Sequence, residues 1–332
     1  MPLEQKGRDI AEFAASKVYY NCEITARRVC FRSLHTHQRV NHTMAPHRPT
    51  AKAILPRDLV TLPQTIHRIL HTIENPKASA QDLTKILESD VVLSARVLAL
   101  ANCAFYGLRY RVETIRHAVV VIGFDAVWHL ALGTSVLQAL FKHPGMPLSV
   151  ADFWLHSLGA GRAAMGIAEA QRVVESPTAV FTAGLLHDLG KLCLAILYPE
   201  PYARVVHEAT VRAMPLAELE RREFGSDHAA IAAEITERWG FPARIRIPIQ
   251  HQYSIAQYKG PFLFESRAVA VASDLSRLAD YGNAGDVHPV HSEETLAEIA
   301  SVPVEWIEEV KQRLRAEREQ ALQELQIVLE KE

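Results

Sequence analysis

The chain has 332 residues, 48% of them hydrophobic and 22% charged, with 15 Gly and 17 Pro; this is the composition of a globular chain with a sizeable core, and it excludes wholesale disorder, a fibrous repeat or a stapled mini-domain. Lysine and arginine number 36 against 38 acidic residues, a formal charge of -2, so no global field draws the protein to nucleic acid or to an anionic membrane. The most apolar stretch, 118–140, is interrupted by Asp125, His129 and Gln138, which would be costly in lipid, and a soluble protein without membrane contact is expected.

Residues 1 to about 52 show weak periodicity, with His35, His37, His42 and His47 scattered among Arg, Thr, Pro and Asn, and are expected to form a poorly ordered leader. Met44 lies just before the ordered pattern, so translation from Met1 or from Met44 stays open. No basic start, apolar run and small-residue cleavage site occur together at the N-terminus, and Cys22, Cys30, Cys103 and Cys193 form no C-x-x-C pair. A cytoplasmic location without a disulfide framework is therefore expected.

From Leu62 onward the pattern is helical. Ile66, Ile69, Leu70 and Ile73 follow Pro63 at i, i+3, i+4, i+7 spacing, one amphipathic helix that Asn75-Pro76 should stop. Ser79 with Asp82 resembles a capping box before Leu83, Ile86 and Leu87, and residues 91–101 make a third helix ending near Tyr106-Gly107. Residues 119–122 have strand propensity, but without an alternating strand and helix rhythm they are expected to be helical. Ser149 with Asp152 starts an alanine-rich helix that runs past Trp154 and His156 to near Arg172; Ser176-Pro177 opens the next, leading into Leu186-His187-Asp188-Leu189-Gly190-Lys191. Further helices are signalled at 228–239, closed by Gly240, and at 262–280, closed by Gly282. Ile307, Val310, Leu314, Ala321, Leu325 and Val328 form a narrow apolar stripe on a charged final helix. Docking of that helix on the parent domain is expected ahead of a dimerising coiled coil, and a homodimer through it stays open as the alternative. The expected fold class is all-α, a multi-helix bundle divided as 1–52 leader, 53–148 N-terminal helical half, 149–282 second helical half and 283–332 C-terminal extension.

Histidine beside aspartate is chemically suggestive, because a neutral imidazole nitrogen and a carboxylate oxygen both ligate Zn, Mn or Fe. In His187-Asp188-Leu189-Gly190-Lys191, Gly190 would admit another backbone or a ligand, and Lys191, near one helical turn past His187, could reach a phosphate oxygen. Other candidate ligands come from separate helices: His156, His228, His251 and Asp274. Taken singly, each is more readily explained as a polar group at the edge of the core, satisfied by a carbonyl or a cap, and Asp227 reads as the cap of its helix.

Leu185-Leu-His-Asp-Leu-Gly-Lys191, preceded by Phe153-Trp-Leu-His-Ser157 and followed by Ser226-Asp-His228, Trp239-Gly-Phe-Pro242 and Ile249-Gln-His251, resembles the HDOD domain, a regulatory branch of the HD metal-dependent phosphohydrolase superfamily. Asp90-Val-Val-Leu-Ser-Ala-Arg96 and Ala101-Asn-Cys-Ala-Phe-Tyr-Gly107 resemble its other signature, with Cys103 in place of the usual serine, and the likeness spans roughly residues 55–280. The resemblance implies a metal set of His156, His187, Asp188 and Asp274, extended by His228 and His251 where two ions bind, with Asp188 and Lys191 as catalytic groups if the site hydrolyses. Gln252 stands where a second histidine would follow His251, and the Gly-Tyr-Pro signature of cyclic dinucleotide hydrolases is absent.

The resemblance implies a bacterial signalling module without catalysis, bearing one or two divalent ions (Fe, Mn or Zn) and engaging a signalling protein or nucleotide. The alternative is a metal-dependent phosphohydrolase. A nucleic-acid partner ranks last, resting only on Arg96, Arg109, Arg111 and Arg116. All six candidate ligands are expected to converge on one pocket.

Overall fold

A computed structural model describes residues 64–329 apart from 75–78, 103–107, 142, 144, 173–175 and 287–288. The leader with its histidines, Met44, Leu62-Pro63, Asn75-Pro76 and the segment from Cys103 to Gly107 lie outside the described residues. Among those described, every regular element is a helix.

The first five are α1 (Gln64–Glu74), α2 (Ala80–Glu88), α3 (Val91–Ala101), α4 (Ile115–Val121) and α5 (Phe124–Phe141). Ser79 and Asp82 form the expected capping box, and Asp90 caps α3 by accepting from Leu93 N. The Val-rich segment is the helix α4 because Thr114 caps it and its Ile115 and Ala118 face the core. Helix α5 is buried nearly all round; it packs against α1, α3 and α4, and Trp128 Nε1 donates to the Ile69 carbonyl at 2.6 Å. Arg96 is buried and donates to Gln138 on α5, so of the four arginines around the first signature only Arg109, Arg111 and Arg116 face solvent.

The second group comprises α6 (Val150–Gln171), α7 (Pro177–Leu186), α8 (Leu189–Leu197), α9 (Pro199–Arg212), α10 (Leu216–Phe224), α11 (His228–Arg238), α12 (Ala243–His251) and α13 (Leu263–Leu278). Helix α6 lies between α7 and α13, its two most extensive neighbours, which is why its buried residues run without a polar stripe from Phe153 to Ala168. Gly184 makes the crossing of α6 and α7 close: a Cβ there would stand 2.8 Å from the Ala160 carbonyl oxygen. Helices α9, α10 and α12 carry weak sequence signals; α12 even contains Pro248 in its body. The segments 124–141 and 177–197 have the length and hydropathy of membrane spans, but 78% of the first and 89% of the most apolar 18 residues of the second are buried inside the helical body, and the second is broken into α7 and α8.

Helices α14 (Glu293–Ala300) and α15 (Val304–Leu329) complete the described chain. Helix α15 docks on the parent body against α3, α6, α13 and α14, burying Ile307, Leu314 and Ala321. Glu317, which interrupts the apolar stripe, is accommodated by Arg162 of α6 at 3.4 Å, and Arg162 also donates to the Tyr281 hydroxyl at 2.5 Å.

Candidate metal centre

The site is built where α7 gives way to α8. His187 and Asp188 occupy the turn between them, and Asp188, at the cap position of α8, makes no side-chain cap bond, which leaves its carboxylate to other partners. The sharp turn brings α8 against the start of α11: a Cβ on Gly190 would stand 2.0 Å from the His228 carbonyl oxygen, so only glycine permits this contact. His156 is supplied by α6 and Ser273 by α13.

His156 Nε2, His187 Nε2 and Asp188 Oδ2 form a triangle with all three sides 3.3 Å. All three residues are 0% exposed. His187 Nδ1 lies 2.6 Å from the Gly184 carbonyl, which can only accept, so Nδ1 carries the proton and Nε2 presents a lone pair to the triangle. Burial depresses both imidazoles, His187 to about 3 and His156 in the same direction, so both favour the neutral form. Burial opposes ionisation of Asp188, but its charged neighbours, the Lys191 ammonium among them, more than offset this and hold the carboxyl well below the usual carboxylate range.

Three electron-pair donors thus face one point. Metal–nitrogen and metal–oxygen distances of about 2.0–2.2 Å give neighbouring ligands separations of roughly 2.9–3.5 Å, so the 3.3 Å sides have the dimensions of one face of a coordination polyhedron. His156, His187 and Asp188 form a cluster of metal-holding size, with ligand atoms all within 4.8 Å, and they fit a divalent ion.

Around this triangle lies a layer of buried charge. On the far side of the Asp188 carboxylate, His228 Nε2 is 3.3 Å from Oδ1 and 3.0 Å from the Tyr253 hydroxyl. His228 Nδ1 is 2.5 Å from Glu220 Oε2, which also accepts from the His228 backbone at 2.8 Å. Burial alone would depress His228, but the Glu220 carboxylate beside it raises its pKa above the ordinary histidine value. Lys191, 0% exposed, donates to Asp188 Oδ2 at 2.9 Å and to Asp286 Oδ2 at 2.6 Å. Asp286 further accepts from Arg277 at 3.3 Å and from the Leu216 backbone at 2.9 Å.

Three of the six expected ligands stay out of the triangle, and two of them, Asp274 and His251, each miss by one residue of helical register. Asp274 turns toward Arg277 (2.7 Å), His291 Nδ1 (2.9 Å) and the backbone of Val290 and His291 (3.0 and 3.1 Å). Its predecessor Ser273 faces the site instead, with Oγ 3.0 Å from His187 Nε2, because successive residues on a helix point about 100° apart. His251 is half-buried, its ring stacked on Tyr258 with centroids 3.7 Å apart and Nδ1 3.0 Å from Ser254 Oγ. The next residue, Gln252, is the one that reaches the His187–Asp188 turn, donating to the His187 carbonyl at 3.0 Å. His228 joins Asp188 from the side opposite the triangle. Asp227 is the cap of α11, accepting from Ala230 N at 2.9 Å. Lys191 is wholly enclosed between two carboxylates.

Glu220, Asp286, Ser273, Arg277 and Tyr253 escaped the sequence reading. Glu220 sits in a charged run that resembles a solvated face, and Asp286 follows a glycine in a loop. Residues 266–277 other than Arg267 are all buried, so no amphipathic stripe distinguishes Ser273 from Asp274.

Among solved structures, the chain is similar to an HDOD domain protein of unknown function from Geobacter sulfurreducens, with 25% identity and a TM-score of 0.69 over 80% of this chain and 93% of that one. It is also similar to a protein of Marinobacter aquaeolei VT8 named as a candidate signal transduction protein, at 26% identity and a TM-score of 0.66 over 82% of this chain and 60% of that one. A candidate phosphohydrolase of Shewanella amazonensis SB2B matches at 25% identity and a TM-score of 0.64 over 81% of this chain and 94% of that one. The chain spans less than half the length of the curated relative it matches, an uncharacterized protein of Treponema pallidum (strain Nichols), 26% identical over 223 residues, 67% of this chain and 43% of that protein. The HDOD domain family matches residues 59–255, more than half of the chain. With the helical fold and the His187–Asp188 turn in place, this chain belongs to the HDOD domain family.

Proposed function

We propose that this HDOD chain is a non-catalytic regulatory module whose His156–His187–Asp188 centre holds a divalent ion, iron, manganese or zinc, as a structural or sensing element. Its output is the binding of a signalling protein or a nucleotide. The observation that carries this reading is the enclosure of the triangle: its three residues are 0% exposed, and the group beside His187 is the neutral Ser273 hydroxyl. The neighbouring carboxylate, Asp274, is committed to Arg277 and His291. A bound ion would supply Lewis acidity and lower the pKa of a coordinated water. The chain's residues hold His187 in one tautomer and keep solvent out, and both tasks suit a permanent site better than a turnover site, which needs an open position for water and substrate.

A second reading, metal-dependent phosphohydrolase, is favoured by the intact His-Asp pair and by the name of the Shewanella neighbour. Metal analysis of the purified full chain, with hydrolysis of bis(p-nitrophenyl) phosphate in the presence of Mn²⁺, Fe²⁺ and Zn²⁺, separates the two. The regulatory reading expects retained metal, lost in His187→Ala, without turnover. Metal-dependent turnover that disappears in His187→Ala establishes the hydrolase instead.

A further inference from the structure

Helix α15 lies beyond the residues 59–255 that the family matches, and where it docks on α6 the two helices leave a cavity of about 390 Å³ between them, within the size range of small-molecule sites. Gly166 of α6 makes the room: a Cβ there would meet only the Trp306 indole, at 3.7 Å. The half-buried Trp306 and the buried Leu314 supply apolar walls.

The charges of the lining are unevenly paired. The buried Arg162 stands 3.4 Å from Glu317 and donates to the Tyr281 hydroxyl at 2.5 Å, and Arg313 donates to the same Glu317 at 3.0 Å, so both guanidiniums lean on one carboxylate. The two other carboxylates of the lining, Glu169 and Glu309, form no ion pair or hydrogen bond among the described residues, and both stand at the exposed rim. Partial burial raises the Glu169 carboxyl above its ordinary value in spite of the nearby Arg313 guanidinium, as expected of a carboxylate that loses water without gaining a donor.

We infer that this cavity is a binding site for a small organic cation, a protonated amine or amidine carried on an apolar body. The indole is the best aromatic face for a cation, the Glu169 and Glu309 carboxylates supply the countercharge, and the apolar walls take the body. An anion gains less, because both guanidiniums are already engaged by Glu317 and its approach passes the two rim carboxylates. Bound there, the cation fastens α15 to α6, the helix that supplies His156, which makes the site a small-molecule input to the regulatory module. It does not depend on a metal in the triangle, and its test needs none.

Isothermal titration calorimetry of the full chain with phenethylamine, and with phenylacetate as a probe of similar body and opposite charge, tests the assignment. Phenethylamine is expected to bind with a Kd below about 1 mM, and phenylacetate about tenfold more weakly or worse. Gly166→Leu, which fills the cavity while improving helix propensity, abolishes amine binding, and the double variant Glu169→Gln with Glu309→Gln weakens it by about tenfold. No amine binding up to about 5 mM, or phenylacetate binding as tightly as the amine, overturns the assignment. So does undiminished amine binding in a folded Gly166→Leu, which would put the amine elsewhere. Should Gly166→Leu fail to fold, judged by circular dichroism, the double variant decides, since unchanged affinity without the rim carboxylates contradicts the role given to them.

Discussion

Ser273 Oγ lies 3.0 Å from His187 Nε2, so the position beside the triangle that a carboxylate could fill is held by a neutral hydroxyl. Ser273→Asp places a negative charge there and is expected to tighten divalent metal binding by at least tenfold, about 1.4 kcal/mol. Competition against a chelating dye measures it. Unchanged or weakened affinity would show that the triangle is not where the ion sits.

Glu220 and His228 are both 0% exposed and their charged atoms are 2.5 Å apart. Removing one charge of a buried pair strands the other, at a cost of about 3–5 kcal/mol. Glu220→Gln should therefore lower unfolding stability by about that amount in urea titrations. A loss under 1 kcal/mol would mean that the pair is not ionised in the folded protein.

His129 lies on α5, away from the centre, with Nδ1 2.7 Å from the Asp125 carbonyl, and burial depresses it to about 4. The folded value lies below the unfolded value of about 6.5, so as pH falls the unfolded chain takes up the proton first. Stability is unaffected above about 6.5 and declines between there and about 4, by at most about 3 kcal/mol. His129→Gln should flatten that part of the stability profile. An unaltered acid slope in the variant would assign the slope to other groups.

Gly190 faces the His228 carbonyl so closely that a Cβ would stand 2.0 Å from its oxygen. Gly190→Ala must separate α8 from α11 and should lower the melting temperature by roughly 2–6 °C, through overpacking worth about 1–3 kcal/mol. Wild-type melting in this variant would show that the two helices do not meet as described.

Leu314, on the docked face of α15, is 2% exposed. Leu314→Ala should cost about 2–5 kcal/mol, read from chemical unfolding, whereas a helix free of the body would lose almost nothing.

The helices with strong end signals were legible from residues alone. Ser79, Ser149, Ser176 and Asp227 each cap the helix they precede, because capping is local chemistry between a side chain and the next turn's backbone. The Val-rich α4 was legible for a similar reason, since no neighbouring strand pattern offered it a partner. Helices α9, α10 and α12 were not: α9 and α10 begin without a side-chain cap, and Pro248 in the body of α12 reads as interruption unless tertiary packing sustains it.

For the centre, local order supplied His156, His187 and Asp188 through their motif, and the glycine through the need for close approach. Whether Ser273 or Asp274, and His251 or Gln252, turned inward was decided by the angular setting of α12 and α13 against α7 and α6. On α13, buried on nearly every side, hydrophobic periodicity carries no record of that setting, and His251 and Gln252 stand at the very end of α12. The pairing of Glu220 with His228 and of Asp286 with Lys191 likewise arose only on packing, since residues 8 and 95 positions apart find each other through the folded core and through nothing in the order of the chain.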